Sequence, residues 1–120
     1  MSGATGLIGG ALTQRLAPEG HDVVPFVRRL VRPGEQAIAW DPARGTIDRA
    51  ALEGFDAVVH LAGENVFGRW TAAKKQRIRE SRVAGTRLVS ETIAGLARPP
   101  RVLLAASAVG YYGDQGAAQL

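Results

Sequence analysis

The chain has no cysteine, one methionine and two histidines among 120 residues. Without cysteine there is no disulfide framework, no thiolate metal site and no cysteine nucleophile, which fits a reducing cytoplasm. His21 and His60 alone do not make a metal site, and none is expected. Long apolar runs are missing too. No segment approaches the ~20 residues that a membrane span needs. The glycine-rich start has neither a basic n-region nor a long apolar h-region, so it does not read as a signal peptide, and no membrane partner is expected. Repeats and low-complexity tracts are absent. At 120 residues, 46% hydrophobic and 22% charged, the composition is that of one soluble globular domain at most.

What the chain has in excess is positive charge, a net +4. The excess is local. Arg69, Lys74, Lys75, Arg77, Arg79, Arg82 and Arg87 stand against the single acid Glu80. A solvated helix face accounts for this run. Contact with a phosphate or ligand, or with nucleic acid, are the alternatives. No aromatic residues interleave after Trp70 and no nucleic-acid motif is present, so a nucleic-acid partner is not expected.

The strongest positive signal is Gly3-Ala4-Thr5-Gly6-Leu7-Ile8-Gly9-Gly10. Glycines recur every third position and run into the apolar series Leu7, Ile8, Ala11, Leu12, Leu16. Such a turn lets main chain approach a bulky anion, and the following helix aims unpaired N–H groups and its positive end at it. We read a pyrophosphate cradle for a dinucleotide. The pattern predicts a helix over 9–17, closed by Pro18 and Gly20, and buried strands over Val23–Val27, Ala37–Trp40, Ala57–Leu61 and Arg101–Ala106. Pro25 is awkward within the first of these. Asp48 can cap a short helix over Arg49–Leu52. Trp70–Leu96 is helical, as two helices or one bent at Gly85, and Gly110–Gly116 is a loop. Apolar strands alternating with helices imply an α/β fold, a parallel sheet covered on both faces. With the glycine turn first, this is the Rossmann-type half of a doubly wound fold, with ligands at the carboxyl ends of its strands.

Several residues fall at those ends. Arg28 and Arg29 follow the strand Val23–Val27, where an acid would favour NAD and an arginine can meet a 2′-phosphate. No Asp or Glu lies between Val23 and Leu30, so NADP is favoured, with NAD possible; the alternative is two ordinary surface charges. Asp41 either bonds an adenine amino group or starts the Asp-Pro turn. His60 lines the site or packs. Ser107 either holds a substrate hydroxyl or carbonyl or is a plain loop serine. Tyr111 and Tyr112 read as pocket walls, because Gln115 and Gly116 stand where a tyrosine general acid/base needs a lysine to lower its pKa.

Together with the glycine turn, WDPARGTID (40–48), VVHLAGENV (58–66), RWTAAKKQRIRESRVAGTRL (69–88) and SAVGYYGD (107–114) resemble the atypical, epimerase-like branch of the extended short-chain dehydrogenases/reductases, the NAD-dependent epimerase/dehydratase-like proteins. The resemblance covers nearly the whole chain. It implies that Gly3, Gly6 and Gly9 approach the pyrophosphate with Thr5, Leu7 and Ile8 lining it. It further implies that Arg28 meets the adenosine phosphate, Asp41 the adenine, and that Leu61, Ala62 and Gly63 lie along the cofactor. Ser107 matches the active-site serine. Arg82 stands where many extended members carry an asparagine. The implied activity is hydride exchange with a hydroxyl-bearing carbon of a small, sugar-like substrate; a non-catalytic, regulatory NAD(P)-binding protein is the alternative.

Two departures shape the expectation for this chain. Only Met1 and Ser2 precede Gly3, where the family has a full strand, and the C-terminal lobe with a Tyr-x-x-x-Lys pair has no counterpart. We therefore expect a truncated Rossmann domain, an N-terminal fragment or a reading frame with a late start. Losing about four buried aliphatic side chains forgoes roughly 6–12 kcal/mol at about 1.5–3 each, against about 5–15 for a whole domain. Two inner strand edges would also be left unpaired. The isolated chain is expected to be inactive, and unstable or rearranged; well-dispersed amide signals and a cooperative melt are the result that contradicts this instability.

Overall fold

The structure is a computed structural model that describes residues 1–107. The expected Gly110–Gly116 loop, Tyr111 and Tyr112 lie outside the described residues. Gly6, extended and without a side-chain cap, starts helix α1 (Leu7–Leu16) two residues earlier than the sequence suggests. Pro18 does not stop this helix directly. It sits in a tight 3₁₀ turn, Ala17–Glu19, which ends at Gly20 in the left-handed region (φ 85°).

Strand β1 is only Phe26–Val27, shorter than the expected Val23–Val27. Pro25 has no N–H to give a neighbour, although its carbonyl accepts from Ile38 N (2.9 Å). Strand β2 (Ile38–Asp41) pairs parallel with β1, Phe26 opposite Ile38. A short strand that the sequence reading missed, β3 (Thr46–Ile47), returns antiparallel on β2. Strand β4 (Ala57–His60) pairs parallel with β5 (Val102–Ala105). The expected parallel pairing is present in β1-β2 and β4-β5; β3 adds an antiparallel edge, giving a three-stranded sheet, β1-β2-β3, and a parallel pair, β4-β5.

Met1 and Ser2 lie between them. Phe26 N donates to Met1 O (2.8 Å), Ser2 N donates to Val59 O (2.9 Å), and Leu61 N donates to Ser2 O (3.3 Å). The expectation of two unpaired inner edges is corrected accordingly. Both edges find partners in these two buried residues, over a short length.

Helix α2 (Ala72–Ala94) is one continuous helix with Thr71 as its N-cap, whose side chain accepts from Lys74 N. Gly85 does not break it. A Cβ there would stand 3.3 Å from His60 and 3.7 Å from Trp40, so glycine lets α2 lie close against the strands. The core forms beneath this helix from Phe26, Ile38, Trp40, Leu52, Val58, Val89 and Leu96. Trp40 meets Phe26 and His60 edge-on, at centroid separations of 5.6 and 5.8 Å. The 3₁₀ turn Ala50–Leu52 inserts Leu52, and Asp48 accepts from Ala51 N (3.0 Å), close to the expected cap.

The expected cover on both faces is not found among the described residues. Leu7 is 93% exposed and Leu104 57%, and α1 buries only Gly9. The apolar series of α1 therefore does not seat in a core as the sequence suggested. No described helix is long and apolar enough to cross a membrane.

A one-sided core makes an unequal prediction. Leu52→Ala, at a fully buried position, should cost about 2–5 kcal/mol in chemical denaturation. Leu104→Ala in the same chain should stay within about 0.5 kcal/mol. Similar costs at the two positions would contradict the arrangement.

Candidate functional site

The glycine turn is built where main chain meets main chain. Gly3 adopts φ +69°, and a Cβ on it would lie 2.9 Å from Ala62 N and from the Leu61 carbonyl carbon. Gly6 N donates to Gly3 O (3.0 Å), which closes the turn. A Cβ on buried Gly9 would fall 2.1 Å from Gly3 O, a distance no side chain tolerates. The turn and the first turn of α1 can pack this tightly only with glycine at both places. The start of α1 has no side-chain cap and no acidic residue. Its positive end is thus left open for an anion.

This turn forms one wall of a cleft of ≈ 720 Å³, in the range of small-molecule and cofactor sites. Of the predicted residues, Gly3, Thr5, Gly6, Arg28, Leu61, Ala62 and Gly63 line it together. Gly9 stands behind the wall as the packing contact. Leu7 and Ile8, predicted to line the pyrophosphate, are exposed and are not part of the cleft lining. Asp41 lies on an adjoining hollow that shares Arg28, Arg29 and Trp40 with the cleft. Its carboxylate accepts from Ala43 N (3.0 Å) and Arg44 N (3.3 Å), so it is engaged in the turn that follows. Ser107, just past β5, is exposed and is not among the lining residues.

The two arginines after β1 are not equivalent. Arg29 is clamped by Glu35 through both carboxylate oxygens, and the second oxygen also accepts from Arg32 N (3.0 Å). These bonds hold the Glu35 carboxyl down to about 2, through the Arg29 guanidinium first and the Arg32 amide second. Arg28 has no ion-pair partner among the described residues and faces both hollows. Glu35 went unnoticed in the sequence. An acid six residues after an arginine carries no periodic signal within a loop.

Two further lining residues, Glu64 and Ser81, were also missed. Ser81 Oγ accepts from Glu64 N (2.9 Å) and donates to Ile78 O (2.9 Å), tying the segment after β4 to α2. Lys74 Nζ reaches Glu64 Oε1 at 2.9 Å, and Arg77 approaches the same oxygen at 3.6 Å. Both cations, Lys74 first, hold the Glu64 carboxyl below the usual carboxylate range. A signal for Ser81 existed: Ser81, Gly85 and Val89 recur every fourth residue, the small and apolar stripe of an otherwise basic helix. The Arg82 guanidinium would stand 3.2 Å from a Cβ on Gly63. Lys75, Arg79 and Arg87 are exposed, as a solvated face requires. His60 packs rather than lines: it is buried between Trp40 and Gly85.

The profile of the NAD dependent epimerase/dehydratase family matches residues 1–119. The chain belongs to this family. The epimerase family protein Mb2239 of Mycobacterium bovis is 43% identical over 117 residues, covering 95% of this chain and 37% of that protein. Epimerase family protein YfhF of Bacillus subtilis is 38% identical, over 94% and 38% of the two chains. The crystal structure of human epimerase family protein SDR39U1 (isoform2) with NADPH superposes at a TM-score of 0.74 and 36% identity, over 92% of this chain and 36% of that one. The Rossmann-like α/β fold is shared with that epimerase family protein. This chain spans little more than a third of the length of these relatives.

The glycine geometry can be tested in stability alone. Gly9→Ala should destabilise by about 1–3 kcal/mol, through the contact with Gly3 O. Gly10→Ala, where a Cβ meets only Ala4 O at 3.8 Å, should be neutral or stabilising by up to about 1 kcal/mol. Equal denaturation midpoints for the two variants would refute the packing argument.

Proposed function

We propose that this chain forms the NADP(H)-binding part of an epimerase/dehydratase-type oxidoreductase. The observation that carries the reading is the Gly3–Gly9 cradle: it has no room for a Cβ at Gly3 or Gly9, and it leaves an uncapped helix start facing a cleft of cofactor size. The same cleft receives the carboxyl end of β4 through Leu61, Ala62 and Gly63. Family membership and the NADPH in the crystal structure of the human relative support the same reading.

In this proposal Gly3, Thr5 and Gly6 hold the diphosphate by main-chain amides, and Gly9 keeps α1 close enough to present them. Arg28 meets the 2′-phosphate, because Glu35 occupies Arg29 and leaves Arg28 as the one of the two arginines after β1 with no ion-pair partner among the described residues. Asp41 borders the adenine side, while Leu61, Ala62 and Gly63 run beneath the nicotinamide half. When bound, the cofactor supplies hydride chemistry, and the protein supplies position and electrostatics. Ser107, following β5, orients a hydroxyl or carbonyl of a small, sugar-like substrate in a chain of the relatives' length. The last lysine of this chain is Lys75, so its 120 residues contribute no Tyr-x-x-x-Lys pair. Cofactor binding is the part of the reading that they carry.

Fluorescence titration tests it. Arg28→Ala should weaken NADPH by about 10- to 100-fold, the loss of a charge-assisted bond. NADH binding should change by less than about twofold, since it lacks the phosphate. Equal losses for both cofactors would remove Arg28 from the phosphate, and no binding of either would remove the reading itself.

A further inference from the structure

Ser2 is fully buried and directly precedes the glycine turn; His60, 3% exposed, ends β4. Their side chains meet at 2.7 Å, Ser2 Oγ to His60 Nδ1. The same hydroxyl oxygen accepts from Leu61 N at 3.1 Å and from Ala62 N at 3.2 Å. A serine hydroxyl has two acceptor positions and one hydrogen. Two main-chain amides fill both acceptor positions, so the hydrogen is left for His60. Nδ1 must then be the acceptor, and neutral His60 carries its proton on Nε2, the nitrogen packed against Gly85 with no hydrogen-bond partner among the described residues.

We infer that Ser2 and His60 act as positioning residues for the cofactor cleft, and that protonation of His60 loosens the Leu61–Ala62 main chain. This inference rests on the cofactor reading above. An imidazolium carries N–H at both nitrogens. Nδ1–H would then donate to Ser2 Oγ and compete with the Leu61 or Ala62 amide for an acceptor position. One of those amides would lose its bond, and both residues line the cleft. Leu61 N retains a partial alternative in Ser2 O at 3.3 Å, so Ala62 is the more exposed to the loss.

The surroundings oppose the charge. Burial lowers the His60 pKa below its ordinary value, and the Arg82 guanidinium on α2 lowers it further. The other elements packed on His60 bring uncharged neighbours: Trp40 from β2, Ser2, and Ala105 from β5. A base with a depressed folded-state pKa destabilises the fold as pH drops below its unfolded value of about 6.5. By linkage, a cofactor that needs the neutral arrangement must bind less tightly once pH falls below the depressed folded-state pKa of His60.

The test uses the wild-type chain first. Long-range ¹H–¹⁵N spectra at pH 7.5 should show the Nε2–H tautomer of His60. On acidification the Leu61 and Ala62 amide resonances should move with the His60 ring, while the Phe26 amide, bonded to Met1 O, should not. An Nδ1–H tautomer at pH 7.5, amides indifferent to the ring, or a ring that stays neutral until the chain unfolds would each overturn the inference. NADPH titrations at pH 7.5 and at the acid pH where the ring spectra show His60 protonated then compare wild type with His60→Asn, whose amide oxygen still accepts from Ser2 but does not titrate. The 2′-phosphate ionises near pH 6, and its effect is common to both proteins. Wild type should lose about fivefold more affinity on acidification than the variant, the equivalent of one hydrogen bond; parallel losses would overturn the coupling. Absence of NADPH binding by wild type at pH 7.5 would retire the cofactor reading and, with it, the link to affinity. The amide titration would still decide whether His60 controls the Leu61–Ala62 main chain.

Discussion

Two residues, Met1 and Ser2, hold the halves of this fold in register. Phe26 N bonds Met1 O on one side; Ser2 N and Ser2 O bond Val59 O and Leu61 N on the other. Without them β4 and β5 would be a two-stranded ribbon, a unit that is marginal in water by itself. Helix α2 supplies the second tie, because Val89 joins a core shared by Phe26, Ile38 and Trp40 on one side and Val58 on the other. The Trp40–His60 ring contact crosses the same divide. Since Gly3 follows Ser2 directly, the bonds that register the strands also aim the glycine turn at Leu61 and Ala62. Fold and site share one constraint.

That constraint explains why the cleft is made mostly of main chain and small residues. The approach of Gly3 to Ala62 and of Gly9 to Gly3 leaves no room for side chains. Selectivity then falls to the few groups that project inward from the rim. Glu35 matters here through what it removes. By engaging Arg29 and the Arg32 amide it fixes the loop after β1 and leaves Arg28 as the one of the two cleft-lining arginines with no ion-pair partner among the described residues. A single unpaired guanidinium discriminates better than a diffuse pair, because its fork can bond a phosphate in one geometry.

Short-range signals in the sequence carried the glycine turn, the strand ends and the helical span after Trp70. They depend on spacing over a few residues, and that is where the structure follows them. The short strand Thr46–Ile47 was hidden because Asp41-Pro42 read as the end of a strand and the start of a turn, with no signal that the turn brings the chain back on β2. Gly85 suggested a bend, but its meaning lay in contact with His60, twenty-five positions away in sequence. The Ser2–His60 bond spans 58 residues, and the bond from Ala97 N to Glu53 spans 44. No local pattern announces such pairs. The apolar series Leu7, Ile8, Ala11, Leu12, Leu16 misled for a related reason: periodicity identifies a helix but not whether a neighbour covers its apolar side.

The basic run of α2 shows how charge is apportioned once the fold forms. Lys74 and Arg77 converge on Glu64, and Arg82 lies over Gly63, so this part of the run is committed to the segment beside the cleft. Lys75, Arg79 and Arg87 remain exposed and add positive field without a specific contact. In the proposed reading an anionic dinucleotide approaching the open start of α1 would meet that field together with Arg28, and electrostatic attraction of this kind acts on encounter more than on final affinity. In that reading specific binding would then depend on the uncharged amides of the glycine turn. They are held where Gly3 meets the Leu61–Ala62 main chain and Gly9 packs on Gly3, the contacts that fix the turn.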